Sequence, residues 1–298
     1  VTYPGKNHEE APSPASSAAE LMTEAVEQVA ASQESSGASL RVEEAHSARM
    51  YDYLLGGKDN YPADQRAADK AVSAFPTLRI AARENRKFMG RAVRWIVEET
   101  GIRQFLDIGS GLPTAHNVHQ VAQAHDPSCR VVYVDNDPIV LAHGRALLDT
   151  DERTTVIETD IRDPQAIIEH PETRELIDFT QPVAVLAVAV LHFISDEEDP
   201  ASLVDRIREA LAPGSVLVLS HATAEISPET ALGVQSAYRA QGVPLTLRDR
   251  EALAGLFAGF ELVDPGIQVV SDWRSTVPEA ARPSHAEVSW YGGIGRLR

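Results

Sequence analysis

The sequence is poor in several things, and each shortage removes a class of explanation. It has one cysteine, Cys129. A single thiol builds no disulfide framework and no cysteine-rich zinc site. Cys129 stands in D-P-S-C-R, a turn leading into an apolar run with no activating base beside it, and reads as a small residue at a strand entrance. Long hydrophobic runs are lacking too. The longest, Val183 to Ile194, is interrupted by His192. At about 12 residues it falls short of the ~20 that a membrane-spanning helix needs. Positive charge is scarce: 27 Lys and Arg stand against 44 Asp and Glu, for a formal net charge of −17. A non-specific grip on phosphate backbones needs clustered cations, so no nucleic-acid partner is expected. The first twenty residues carry Glu9, Glu10, Glu20 and several prolines in place of the apolar core of a secretory signal. The expectation is a soluble cytoplasmic protein with no membrane partner.

Motifs are missing as well. G-x-S-x-G, G-x-x-x-x-G-K-[ST] and H-E-x-x-H do not occur. His116, His119, His125 and His143 make no metal pattern and read as solvated helix residues, so no metal is expected.

What is present is ample material for a core. The chain has 298 residues, 43% of them apolar, ordinary for a globular protein of one or two domains. Residues 1–40 are rich in Ala, Ser, Glu and Pro, a disorder-like tail in which Glu20 to Ala31 forms at most a transient helix. From residue 41 to 100 the pattern predicts a helical cap. E-E-A-H-S-A-R-M-Y-D-Y-L-L-G-G reads as a helix stopped by Gly56 and Gly57, K-D-N-Y-P as a turn, and Asp64–Phe75 as a second helix. A third, capped by Thr77 and reaching Thr100, carries Phe88, Ala92, Trp95 and Ile96 on one face.

Residues 101–298 read as the core. Apolar, β-branched strands are expected at Gln104–Ile108, Arg130–Asp135, Thr154–Glu158, Val183–Val190 and Ser215–Ser220. Helices are expected at Thr114–Ala124, Pro138–Leu148, Pro164–Glu169 and Ala201–Leu211. Five β-α repeats, with strands apolar on both faces, predict an α/β fold: a doubly wound, mostly parallel sheet with an N-terminal helical extension. Further on, Pro228–Gln241 and Asp249–Leu256 read as helices, and Glu261–Val263 and Ala286–Tyr291 as a last pair of strands.

Ligands of such sheets bind beyond the carboxyl ends of the strands, near the point where strand order reverses. The residues at those ends form a pattern: D-I-G-S-G after the first strand, D-N-D after the second, D-I-R after the third, L-H-F after the fourth and His221 after the fifth. Gly109 and Gly111 permit positive φ and close backbone approach. Asp135, about 24 residues past Gly111, suits a ribose with a free 2′-hydroxyl. Asp160 can accept from an exocyclic amine, and Ile161 and Leu112 can sandwich a base. The dinucleotide fingerprint has a third Gly or Ala where this chain has Thr114 after Pro113.

The order D-x-G-x-G, V-D-x-D-P, D-I-R and L-H-F resembles class I S-adenosylmethionine-dependent methyltransferases. R-M-Y-D-Y-L-L-G-G-K-D-N-Y-P-A-D resembles, more narrowly, the S-adenosyl methyltransferase family of actinomycetes, whose substrate is unassigned. The likeness covers about residues 43–298 and implies a Rossmann-like methyltransferase core with S-adenosylmethionine as cofactor. By that resemblance Asp107, Gly109, Ser110 and Gly111 hold the amino-acid end of the cofactor, Asp135 and Asn136 the ribose, and Asp160 and Ile161 the adenine.

The N-terminal block then becomes a lid over the methyl end, with Tyr53 near the sulfonium and Asn60 beside it, or else a helix hairpin packed on the sheet. Arg86 either pairs with the cofactor carboxylate or lies on the surface next to Asn85. His192 orients a substrate, acts as a base, or is a hydrogen-bonded core histidine. Methyl transfer rests chiefly on in-line positioning, which favours orientation. After the fourth strand there is no Asn-Pro-Pro-aromatic, the mark of amino-directed nucleic-acid methylases. The implied acceptor is therefore a small molecule. A cofactor-binding protein without turnover and a nicotinamide-dependent oxidoreductase stand as alternatives, and the oligomeric state is left open.

Overall fold

The computed structural model describes residues 41–147 and 152–298. The expected tail at 1–40 and the expected end of the fifth helix at Leu148 lie outside the described residues. The first three helices are α1 (Ser47–Leu55), α2 (Pro62–Ala74) and α3 (Leu78–Thr100). Then come β1 (Gln104–Ile108), α4 (Val118–His125), β2 (Arg130–Asp135), α5 (Pro138–Leu147), β3 (Thr154–Glu158), α6 (Pro164–Glu169) and α7 (Pro171–Leu176). The chain continues through β4 (Ala184–Val188), α8 (Pro200–Glu209), β5 (Val216–Ala222), α9 (Pro228–Arg239) and α10 (Arg250–Gly255). It closes with β6 (Phe260–Leu262), β7 (Gln268–Val269), α11 (His285–Val288) and β8 (Trp290–Leu297).

The strands form one sheet in the order β3-β2-β1-β4-β5-β8-β6, with β7 also paired to β8. β1 to β5 are parallel, and β8 runs antiparallel between β5 and β6. Every residue of β1 and β5 is buried, because helices cover both faces. The order reverses between β1 and β4, and a crevice opens there at the carboxyl ends of the strands. This is the expected Rossmann-like architecture. Among the described residues no helix is long and apolar enough to cross a membrane.

Among the boundaries that differ from expectation are those of β8 and β4. Residues 286–288 are helical, not extended, because Ser284 and Glu287 form a capping box that starts α11. The strand proper is W-Y-G-G-I-G-R-L, whose glycines hide it, since glycine is depleted in strands. They are there for packing: a Cβ on Gly292 would lie 2.8 Å from the Phe88 ring of α3. β4 also stops early. Ala189 takes a left-handed φ of 62°, and Leu191–Phe193 turn into a 3₁₀ helix.

The N-terminal helices join the main core. Met50 and Leu54 of α1, Phe75 after α2 and Phe88 of α3 belong to the same apolar cluster as β1, β4 and β5. A buried ion-pair group bolts them across the sheet edge. Arg49 lies 3.3 Å from Asp137 on the β2–α5 loop and 3.6 Å from Asp64 of α2. His46 Nδ1 lies 3.1 Å from Asp137. Charges this deep persist only when paired, so these pairs tie α1 and α2 to the loop after β2.

Candidate active site

The crevice holds a cavity of about 300 Å³ lined by both the strand ends and the N-terminal helices. Its floor is the turn after β1. Gly109 and Gly111 have φ of 71° and 65°, a region that side chains with a Cβ enter only at a cost. A Cβ on Gly109 would lie 2.2 Å from Val190 Cγ2, so the turn rests directly on the end of β4. Nothing lies within 4 Å of a Cβ built on Gly111. The Gly111 N–H donates to Asp135 Oδ2 at 2.8 Å, which ties the turn to the end of β2.

Thr114 now has an explanation. The expected helix at Thr114 starts four residues later, at Val118, behind an Asn117 cap. The Thr114 N–H donates to Asn117 Oδ1 at 3.0 Å, and Arg86 Nη2 donates to the Thr114 hydroxyl at 2.6 Å. The helix does not pack against the turn at this position, so no third small residue is needed there. Arg86 lines the cavity and pins this loop. It is half-buried at the cavity wall and not on the open surface.

The three strand-end acids line the same cavity. Burial pushes the Asp107 carboxyl up to about 7 from its usual 3.8, against the pull of Arg86. Burial also raises Asp135, although the backbone N–H groups of Asp137 and Gly111 oppose it. Asp160 is more open, accepting from Asn136 Nδ2 at 2.6 Å and pairing with Arg162 at 3.2 Å. Ser110, Asn136 and Ile161 complete this wall, and the Ser110 hydroxyl is buried without a partner. Leu112 does not reach it. It packs with Ile139 and Val140 in a separate small cluster, because the turn points it behind the strand ends.

The N-terminal block divides differently from the expectation. Tyr51, not Tyr53, lines the cavity. Two residues on a helix stand about 200° apart, so only one of the pair can face the sheet. Tyr51 stacks on Trp290 with ring centroids 6.4 Å apart. Tyr53 faces away, its hydroxyl on Asp69 and its ring under Arg79. Asn60 is also outside the cavity. Its amide donates to Asp52 Oδ2 at 2.8 Å and to the Gly57 carbonyl at 3.1 Å. Asp52 sits so close under Gly57 that a Cβ there would overlap its carboxylate. The Y-D-Y-L-L-G-G-K-D-N signature is thus chiefly a turn-holding device.

Opposite the acids the cavity is apolar. Trp290, Phe193, Tyr238 and Leu54 are among its walls. His192 stands at the edge of this half, buried on the 3₁₀ turn after β4, its ring 5.4 Å from Trp290 and 4.3 Å from Phe193. Its Nδ1 has no partner. Burial, with His221 and Arg248 nearby, holds its pKa well below 6.5, so the imidazole is neutral. His221 is different. Arg248 donates to its Nε2 at 2.9 Å, which leaves Nδ1 protonated and donating to the Ala222 carbonyl at 2.8 Å. It is fully used in the structure and does not line the cavity. Other candidate groups are occupied elsewhere: His119 meets the Tyr133 hydroxyl, His125 pairs with Glu98, and burial pushes the Cys129 thiol up to about 11.

An acid closing β2 beside a glycine turn at the switch point is how Rossmann-like sheets hold a ribose. That puts this chain among the nucleoside-cofactor proteins of that fold. Comparison with known proteins narrows it. The chain belongs to the S-adenosyl methyltransferase family, whose sequence model matches residues 33–298. Two solved structures are similar over 87% of this chain. A DUF574-family protein from Streptomyces avermitilis MA-4680 is 44% identical with a TM-score of 0.84, all of its chain being covered. A protein from Thermobifida fusca YX is 43% identical with a TM-score of 0.83 and 97% of its chain covered. Among curated proteins, the carboxy-S-adenosyl-L-methionine synthase of Citrifermentans bemidjiense is 32% identical over 122 residues, 41% of this chain. The chain spans 46% of that relative's length. The residues that line the cavity fit the cofactor that gives the family its name, S-adenosylmethionine. Asp107 and Asp135 offer buried acceptors for a cation and a ribose, and the Ser110 hydroxyl awaits a partner.

Proposed function

We propose that the protein transfers a methyl group to a small molecule enclosed in the apolar half of the cavity. One observation carries this: the strand-end acids and an aromatic chamber line one continuous cavity, with His192 at their junction. When bound, S-adenosylmethionine supplies an electrophilic methyl, whose bond to sulfur breaks with the electron pair left on sulfur as the acceptor's lone pair bonds the carbon.

The chain's own residues do the rest. Asp107 and the Gly109–Gly111 turn receive the amino-acid end, Asp135 and Asn136 the ribose, and Asp160 and Ile161 the base. The N-terminal helices, bolted at Asp137, form the lid that keeps water from the reacting end. His192, being neutral, orients the acceptor and can take its proton. A weak base suffices, since that proton becomes strongly acidic as the new bond forms. Holding the two reactants in line is the larger contribution, on the order of 7–11 kcal/mol.

The name of the curated relatives suggests a carboxylated cofactor. An added carboxylate beside the methyl needs a cation there. The cavity's cations, Arg86 and Arg162, are engaged by Thr114 and by Asp160 and Glu198, which favours plain methyl transfer. The test is calorimetry with S-adenosylmethionine, followed by transfer of labelled methyl into a small-molecule extract. Saturable binding with label in a low-mass product is expected. Label in macromolecules alone, or no binding, defeats the reading.

A further inference from the structure

We infer that the acceptor is an uncharged aromatic molecule that presents an O–H or N–H to the side-chain oxygen of Asn85. This rests on the methyl-transfer reading above and names the substrate class of the same site.

The walls speak first. Tyr51 stacks on Trp290, Phe193 stacks on Tyr238 at 6.3 Å, and His192 meets both Phe193 and Trp290 edge-on. Such walls favour a flat apolar guest. Charge speaks second. The ionised groups lining the cavity all belong to the strand-end loops or are tied to them. Arg86 is held by Thr114, and Arg162 by Asp160 and Glu198. Arg86 lies near Tyr51 and Arg162 reaches the Phe193 carbonyl at 3.4 Å, but both already hold these other partners, so neither is free to offset the desolvation of a carboxylate.

The third observation concerns Asn85, which lines the cavity. Tyr51 Oη lies 3.0 Å from the Ala82 carbonyl and 3.0 Å from Asn85 Nδ2. A carbonyl only accepts, so the Tyr51 proton points to Ala82. The Tyr51 oxygen must then accept from Asn85, which fixes Nδ2 on that side and leaves Oδ1 on the other. Oδ1 is buried with no partner. An orphaned buried acceptor is costly, and a guest carrying a donor removes that cost. A guest of the same shape without the donor does not.

Three probes separate these features: 2-naphthol, 2-methoxynaphthalene, which lacks the donor, and 6-hydroxy-2-naphthoate, which adds a carboxylate. Each is titrated by calorimetry into protein saturated with S-adenosylhomocysteine, so that binding is read without turnover. 2-Naphthol is expected to bind at least about tenfold more tightly than either of the others. In Asn85→Leu the gap between 2-naphthol and 2-methoxynaphthalene closes. Equal or tighter binding of the naphthoate overturns the uncharged class, and a gap that persists in Asn85→Leu overturns the role of Asn85. The wild-type series stands by itself if that variant does not fold. S-adenosylhomocysteine binding without any preference among the probes defeats this inference alone. Failure of S-adenosylhomocysteine to bind defeats the methyl-transfer reading with it.

Discussion

The two halves of the cavity are built in opposite ways. The cofactor half comes from short stretches at the ends of β1, β2 and β3, where acids and glycines follow apolar strands in chain order. The acceptor half is collected from α1, α3, the turn after β4, α9 and the start of β8. Apart from Asn85 and His192, the residues named on its walls are aromatic and aliphatic, and nothing in their local sequence separates them from ordinary core. The difference teaches where chemistry leaves a trace in a sequence. A site that must hold charge and bend the backbone needs rare residue types at set spacings. A site that must exclude water needs only apolar side chains.

Perturbing each half separately can break this comparison. The largest effect is expected at Gly109, where an added Cβ meets both a left-handed φ and Val190 at 2.2 Å. Gly109→Ala should cost at least about 3 kcal/mol in urea unfolding and abolish cofactor binding. Gly111→Ala, with open space around it, should cost about 1 kcal/mol. Similar losses for both would mean that the turn does not rest on β4.

Asp135→Asn comes next. Removing a charged acceptor for the ribose should weaken S-adenosylmethionine by about 100-fold in calorimetry, while the far-ultraviolet circular dichroism is kept. A loss below fivefold would take the ribose away from Asp135.

The third test is pH. Asp107 titrates at about 7 in the folded protein, so it is mostly protonated at pH 6 and mostly a carboxylate at pH 8. A cationic amine binds the carboxylate, so cofactor affinity should rise about tenfold over that range. The slope should vanish in Asp107→Asn. For the free protein the sign is reversed. The folded state holds this proton more tightly than the unfolded chain, so the Asp107 contribution to stability declines from about pH 4 to 7.

The smallest effect is expected at Tyr53, whose hydroxyl meets only the exposed Asp69. Tyr53→Phe should change stability by under about 0.5 kcal/mol and cofactor affinity not at all. Tyr51→Phe, which frees the Ala82 carbonyl and Asn85, should cost about 1–2 kcal/mol. Reversal of this order would put the aromatic wall on the wrong tyrosine.

Much of the fold was legible before any coordinates. The bounds of β1, β2 and β3 agree with the expected ones to the residue, because parallel strands buried on both faces read as unbroken β-branched runs. Early stops at Ala189 and the late start of α4 were not legible, since each depends on contacts across the crevice. Thr114 looked like a defect in a fingerprint and proved to be a partner for Arg86, 28 residues away. Tyr53 and Asn60 looked like site residues as members of the N-terminal block; the rotation of α1 turns Tyr53 away, and Asn60, on the turn after it, is spent on Asp52 and Gly57. Trp290 and Tyr238 had no signal beyond being aromatic.

By itself, the sequence determined the α/β alternation, the glycine turn and the acids that close the first three strands. These are local consequences of burial, of positive φ and of the charge that a nucleoside cofactor requires. Tertiary structure decided that β8 enters between β5 and β6, that Tyr51 rather than Tyr53 faces inward, and that Asn85, at the cavity wall, keeps a buried oxygen without a partner. Those outcomes depend on which distant surfaces meet, and the pattern along the chain does not encode a contact between residues that are apolar for the same reason as the rest of the core.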